Sequence, residues 1–293
     1  MYKILSKQIL NSKTKKIEIQ ANSLVKNLYP GQCIIIMPQE TSTYWPVSTV
    51  DVDPIKGTLS VVFQETNLTL KALGSLKIGD EIFVMIGPVA RPIETKKYGQ
   101  VLCVSEDYHI ASSLALCRAL KNAENKVSGL AGFKTKEDLI LETQFRSNCD
   151  NVDVVTDDGS YERKGDVALV AADIVESKDV DCVFVFGGIT LLKRVKAVLA
   201  GKSKNVFMNA SCILECGVNV HFESPVRVNG KRFYLGFESL MFEASNLDCD
   251  DIEQQLIKLK EYYDCQSLIS KQLRRRNESK IFPKLFAGLT KNK

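Results

Sequence analysis

The sequence predicts a β-barrel followed by an α/β domain with a doubly wound parallel sheet, then a small C-terminal segment and a helix. Three observations carry this prediction. The first 95 or so residues hold short β-branched runs separated by turn residues, with no helix-length segment. At Tyr98-Gly99 the pattern changes to buried strand runs alternating with helical periodicity, the mark of βαβ units. After Asp250, apolar residues recur at helical spacing.

The barrel strands are read in KKIEIQA, QCIIIMP, PVSTVDVD, GTLSVVFQ and DEIFVMIGP. Turn signals stand between them at Tyr29-Pro30-Gly31, Asp53-Pro54 with Gly57, and Ile78-Gly79-Asp80. Short strands at regular spacing point to a closed barrel. In the second half VLCV reads as a strand, IASSLALCRALKNAEN as a helix, VSGLAGF as a strand and KEDLILETQFRSN as a helix. The alternation continues through VDVVTDD, DVALVAADIVES, DCVFVFGG and TLLKRVKAVLAG. Ligands of such a sheet lie at the carboxyl ends of its strands. A strand-like NVFMNAS follows, then two strand-like pieces around Asn229-Gly230. From Asp250 to about Lys280, Ile252, Leu256, Leu259, Leu268, Ile269 and Leu273 fit an amphipathic helix begun by acids and ended by Arg274, Arg275 and Arg276.

Composition excludes several classes. Apolar residues make up 45% and charged residues 25% of 293, which is ordinary for a globular chain. No stretch approaches the roughly 20 apolar residues of a membrane helix. The opening MYKILSKQILNSKTKK lacks the apolar core of a signal peptide, so a cytoplasmic protein is expected. The nine cysteines are odd in number, and several sit inside apolar runs. They read as buried hydrophobes in a reducing compartment. Two histidines, His109 and His221, exclude chemistry that needs several imidazoles. The net charge of +4 hides an asymmetry, because the stretch from Ser267 onward carries +7. Its aromatics are Phe282 and Phe286, too few to interleave a basic patch for nucleic acid.

Several segments sharpen the class. MYKILSK, LYPGQCIIIMP, DVDPIKGTLSVVFQE, KIGDEIFVMIGP, YGQVLCV, LILETQFR and TDDGSYERKG occur in this order. Together they resemble the FAD/NAD-binding electron-transfer subunits of the ferredoxin–NADP reductase superfamily. The subunits meant are the small subunit of NADH-dependent reduced ferredoxin:NADP oxidoreductase and the electron-transfer subunit of dihydroorotate dehydrogenase. The resemblance spans about residues 1–248. It implies an FAD-binding-like barrel over 1–96 and an NAD(P)-binding-like domain over 97–205. It also implies an iron–sulfur segment, degenerate here, over 206–248, before a basic helical tail over 249–293.

Each cofactor site implied by the resemblance has a physical requirement. The family's glycine-rich nucleotide turn lets backbone N–H groups approach a pyrophosphate. Here that turn reads Ser105-Glu106-Asp107-Tyr108-His109-Ile110-Ala111. Two carboxylates stand where a dianion should sit, a like-charge contact costing about 1–4 kcal/mol. NAD(P) binding in the family's manner is therefore not expected. A metal site from Glu106, Asp107 and His109 is the other reading of this cluster. In the FAD site the family's Arg-x-Pro-Leu-Thr/Ser becomes Tyr44-Trp45-Pro46-Val47-Ser48. Pro46 and Ser48 are kept, but the cation for the diphosphate is not. The following phosphate turn reads Thr66-Asn67-Leu68-Thr69. Tyr44 and Trp45 either stack on a flavin ring or pack as an aromatic pair, which leaves FAD open.

The cluster ligands, spaced Cys (or Asp)-x4-Cys-x2-Cys-x11-Cys, fall on Cys216, His221, Ser224 and Gly236. Gly236 offers no side chain, so a [2Fe–2S] cluster is expected to be absent. Cys212, Cys216 and His221 form a weak zinc-like spacing, with buried cysteines as the alternative. Asp158, Gly159 and Ser160 in TDDGSYERKG, and Lys134, fall where relatives line the nicotinamide side and the NADP ribose. Asp157, Asp158 and Gly159 equally make a good turn.

Two functions follow as expectations. One is a redox-inactive relative acting as scaffold or regulatory partner. The other is a working FAD-dependent subunit that passes electrons between NAD(P)H and a partner without its own cluster. Either reading implies a protein partner or a second copy of the chain, and no membrane or nucleic acid.

Overall fold

The computed structural model describes residues 2–202, 205–212, 225–234 and 239–258. Its N-terminal half is an antiparallel sheet that curls almost closed. In chain order the elements are β1 (Tyr2–Ile9), β2 (Thr14–Gln20), α1 (Asn22–Val25), β3 (Cys33–Met37), β4 (Trp45–Asp53) and β5 (Thr58–Gln64). Then come α2 (Leu68–Ser75), β6 (Glu81–Ile82) and β7 (Val84–Val89). The strand order is β6-β1-β2-β5-β4-β3-β7. Because β6 and β7 are halves of one segment broken at Phe83, that segment pairs with both ends of the sheet. Alternation fills the barrel with Ile17 and Ile19 from β2, Ile34 and Ile36 from β3, and Leu59, Val61 and Phe63 from β5. Val50 and Val62 point the other way, into the core of the second half.

The expectation of no helix-length segment in this half is corrected by α2. Asn67 caps it by accepting a hydrogen bond from Leu70 N at 2.9 Å, so the run after VFQE starts a helix rather than an open turn. Strand β1 carries little strand signal in its sequence, since MYKILSK has little apolar alternation beyond buried Ile4.

The second half is a sheet of order β11-β10-β9-β8-β12-β13-β16. Its elements are β8 (Gln100–Glu106), α3 (Ile110–Asn122), β9 (Lys126–Phe133), α4 (Glu142–Asn148), β10 (Asn151–Thr156), β11 (Arg163–Lys164) and α5 (Val167–Ser177). They continue with β12 (Cys182–Phe186), α6 (Ile189–Val198), β13 (Val206–Asn209), the hairpin β14 (Pro225–Val228) and β15 (Lys231–Tyr234), and β16 (Met241–Glu243). Strands β8 to β13 run parallel and β16 closes the edge antiparallel. Leu102, Val104, Leu130, Val183 and Val185 face α5 and α6. Val101, Cys103, Val127, Ala131 and Phe184 face α3 and α4. These strands are buried on both faces, so they read as unbroken apolar runs.

The predicted helix over KEDLILETQFRSN is corrected. Residues 136–138 form a 3-10 turn and α4 begins only at Glu142, because Leu141 takes a left-handed φ of 56° that no helix continues through. Cys212, Val226, Val228, Phe242, Leu247 and Ile252 extend the α5/α6 core. The chain is helical from 249 to 258; the rest of the predicted C-terminal helix lies outside the described residues. No helix among the described residues is long and apolar enough to cross a membrane.

Candidate functional site

The barrel meets the parallel sheet along β4 and α3. Ser112 Oγ donates to Ser48 Oγ at 2.8 Å, and Arg118 Nη2 donates to Asp51 Oδ1 at 2.8 Å. Lys16 holds the other oxygen of Asp51 at 3.1 Å, and together the two cations keep the Asp51 carboxyl below its ordinary range against the opposing effect of burial. Ser48, which the sequence resemblance would set facing a flavin, thus bridges the two halves. Pro46 and Trp45 pair with Ile35 and Ile36 of β3, and Trp45 packs half-buried against the barrel core. Tyr44 precedes the strand, half-buried. Thr69 is buried, with its Oγ1 2.7 Å from Thr43 Oγ1 and accepting from Thr43 N at 3.3 Å. Asn67 Nδ2 is buried with no hydrogen-bond partner among the described residues. A flavin diphosphate would meet one neutral amide donor at this turn, with a phenol at the position of the guanidinium. That is a poor fit for a dianion.

The nucleotide turn sits at the carboxyl end of β8. Glu106 pairs in register with Gly132 of β9, and its neighbour Ser105 with Phe186 of β12. Asp107 has φ 53°, so the chain turns through a left-handed residue here. Aspartate is among the few residues that tolerate this region. His109 is buried and stacks on Tyr108 at 4.5 Å between ring centroids.

Arg194 of α6 fills this corner. Its Nη2 donates to Glu106 Oε1 at 2.6 Å, and its Nη1 donates to Asp166 Oδ2. Asp166 also caps α5, its Oδ1 accepting from Ala168 N at 2.7 Å. Burial pushes the Glu106 carboxyl above its ordinary range, and the Arg194 charge opposes that rise. Burial also pushes Asp107 up, opposed first by the charge of Lys134. The β1–β2 hairpin reaches the same edge. Asn11 Nδ2 donates to Asp138 O at 3.1 Å, and Lys13 pairs with Asp138 at 3.2 Å. No group of three His, Cys, Asp or Glu among the described residues can hold a metal, which corrects the Glu106/Asp107/His109 reading. The residues at this turn fit a dinucleotide pyrophosphate poorly: the Arg194 guanidinium already serves two carboxylates, and the charge of Lys134 is set against the buried Asp107 carboxyl.

The turn after β10 is closed on itself. Asp158 Oδ1 accepts from Ser160 N at 2.9 Å and from Ser160 Oγ at 2.7 Å, while Lys136 N donates to Ser160 Oγ at 2.7 Å. Those bonds from Ser160 hold Asp158 below the ordinary carboxylate range. Gly159 has φ 79°, and a Cβ there would lie 3.0 Å from Lys164 Cβ. Lys134 is exposed, and its carbonyl accepts from Asp158 N at 3.3 Å. Asp158, Gly159 and Ser160 therefore stand together at the sheet edge, while Tyr44, Trp45 and Thr69 belong to the barrel.

Cys212 is buried. Cys216, His221, Ser224 and Gly236 lie outside the described residues, so the zinc and cluster expectations are read from the donor set alone. Arg194 and Asp166 were missed by sequence reasoning. Arg194 lies 88 residues from Glu106, and nothing local in TLLKRVKAV marks it.

A nearly closed antiparallel barrel joined to a parallel sheet with helices on both faces defines the ferredoxin–NADP reductase-like class. The chain has this fold and is related in sequence to electron-transfer subunits of flavin oxidoreductases. It is similar to the Thermotoga maritima homolog of the dihydroorotate dehydrogenase B (NAD(+)) electron-transfer subunit, with 26% identity over 261 residues, 86% of this chain and 92% of that protein. An uncharacterised Clostridium beijerinckii protein from an adh 3′ region is 30% identical over 202 residues, 66% of this chain and 68% of the relative. The solved NADH-dependent reduced ferredoxin-NADP oxidoreductase, studied for flavin-based electron bifurcation, aligns with a TM-score of 0.81 at 24% identity. That alignment covers 92% of this chain and 98% of that one. Plasmodium falciparum ferredoxin-NADP+ reductase, solved with 2'P-AMP, aligns with a TM-score of 0.56 at 14% identity, over 71% and 94% of the two chains. No family model matches the chain.

Proposed function

We propose that this chain keeps the scaffold of an electron-transfer subunit without the NAD(P)H chemistry, and serves a partner protein as a structural or regulatory subunit. The observation that carries this is the Glu106–Arg194–Asp166 network at the nucleotide turn. A pyrophosphate entering there would have to displace a carboxylate and then lie beside it. The donor set Cys216, His221, Ser224 and Gly236 supports the same reading for the cluster, since glycine cannot ligate iron. The partner is another subunit or a second copy of the chain, met in the cytoplasm.

A second reading is a flavin-only subunit, passing electrons between NAD(P)H and its partner. Half-buried Tyr44 and Trp45 and the unpartnered Asn67 Nδ2 favour it. The visible spectrum of the purified chain separates the two. The scaffold reading expects a colourless protein that NADH and NADPH leave unchanged. A yellow protein bleached by either nucleotide would overturn it.

A further inference from the structure

The order of the parallel sheet reverses between β8 and β12, whose outer neighbours are β9 and β13. Ligands of open α/β sheets settle in the crevice outside such a reversal. Here the crevice is flanked by the Glu106 turn and by Gly187-Gly188, which leads into α6. The start of α6 has no side-chain cap, and a Cβ built on Gly188 would meet nothing within 4 Å. The guanidinium of Arg194 bridges Glu106 at the end of β8 and Asp166 at the start of α5. Its Nε is buried with no hydrogen-bond partner among the described residues. A guanidinium offers five donors in a planar fork that suits phosphate as well as carboxylate.

We propose that Arg194 is an anion anchor which Glu106 keeps closed, so that the crevice is a self-inhibited site for phosphate and pyrophosphate groups. The Glu106 carboxylate takes the position on the fork that a phosphate oxygen would take. Being tethered, it competes at an effective concentration of about millimolar or more. An incoming anion must also leave the displaced carboxylate beside itself, half-buried and unpaired. Neutralising Glu106 removes both the competitor and the repulsion. Asp166 holds the second arm and limits the gain. This inference rests on the reading that the native chain does not take up NAD(P)H, and it names the side chain responsible.

The probe is inorganic pyrophosphate, titrated by calorimetry into the full chain and its variants. The native chain is expected to give no saturable heat. Glu106→Gln is expected to give saturable heat, with a dissociation constant at least about tenfold below the highest pyrophosphate concentration at which the native chain gives none. The gain is expected to vanish when Arg194→Gln is added. Asp166→Asn keeps an oxygen for the α5 cap and frees the other arm, so a smaller gain is expected; it also serves if Glu106→Gln fails to fold. Equal affinity in all four proteins, or a gain that survives Arg194→Gln, would overturn the inference. Native protein that takes up NADH overturns the preceding reading, whereas folded variants that gain nothing overturn this one.

Discussion

Two turns leave the same edge of one parallel sheet, and they have gone separate ways. The turn after β10 keeps its glycine at φ 79° and is laced by Asp158, Ser160 and the Lys136 amide. The turn after β8 keeps a left-handed residue as well, but that residue is Asp107, and its neighbour Glu106 is clamped by Arg194. Both turns pass through a left-handed residue. What differs is the charge offered to a ligand. Retention of a family signature at the first turn therefore follows from its own hydrogen bonds, which need no cofactor, and is weak support for chemistry.

Arg194→Ala should have the largest effect on this contrast. It strands two half-buried carboxylates, Glu106 and Asp166, and should cost about 2–3 kcal/mol in urea unfolding. A loss under about 0.5 kcal/mol would mean the pairs are as weak as exposed ones. At the other turn, Gly159→Ala forces a side chain into a left-handed residue and against Lys164. A loss of about 1–2 kcal/mol is expected by the same measurement.

The smallest effect should come from Asp107→Asn, which keeps the left-handed preference and removes a half-buried charge. Burial raises the native Asp107 carboxyl, so the folded chain holds its proton to higher pH than the unfolded chain does. The native protein then loses stability as pH climbs from the ordinary aspartate range, about 3.9, through the raised value. The asparagine variant has no such loss. Its gain, about 0.5–1 kcal/mol, should be present at pH 7 and gone near pH 3 in paired thermal melts.

The framework was legible because its signals are local. VLCV and DCVFVF form central strands β8 and β12, whose side chains are buried on both faces, and the barrel runs alternate as β-strands should. Two misreadings have equally local causes. Apolar spacing in KEDLILETQFRSN is helical, yet Leu141 turns left-handed and breaks it. The Asn67 cap that starts α2 stands in Thr66-Asn67-Leu68-Thr69, whose turn-forming residues hide the helix that follows. At the candidate site the sequence exposed the carboxylates at 106 and 107 but not their counter-charge. The pairing with Arg194 joins β8 to α6 across 88 residues, a distance that no window of periodicity spans.

On the proposed function, the β8 turn is closed to dinucleotides by the chain's own charges. Calorimetric titration of the purified full chain with NADH tests it most directly. No saturable binding below about 1 mM is expected. A dissociation constant of about 10 μM or tighter would contradict the account.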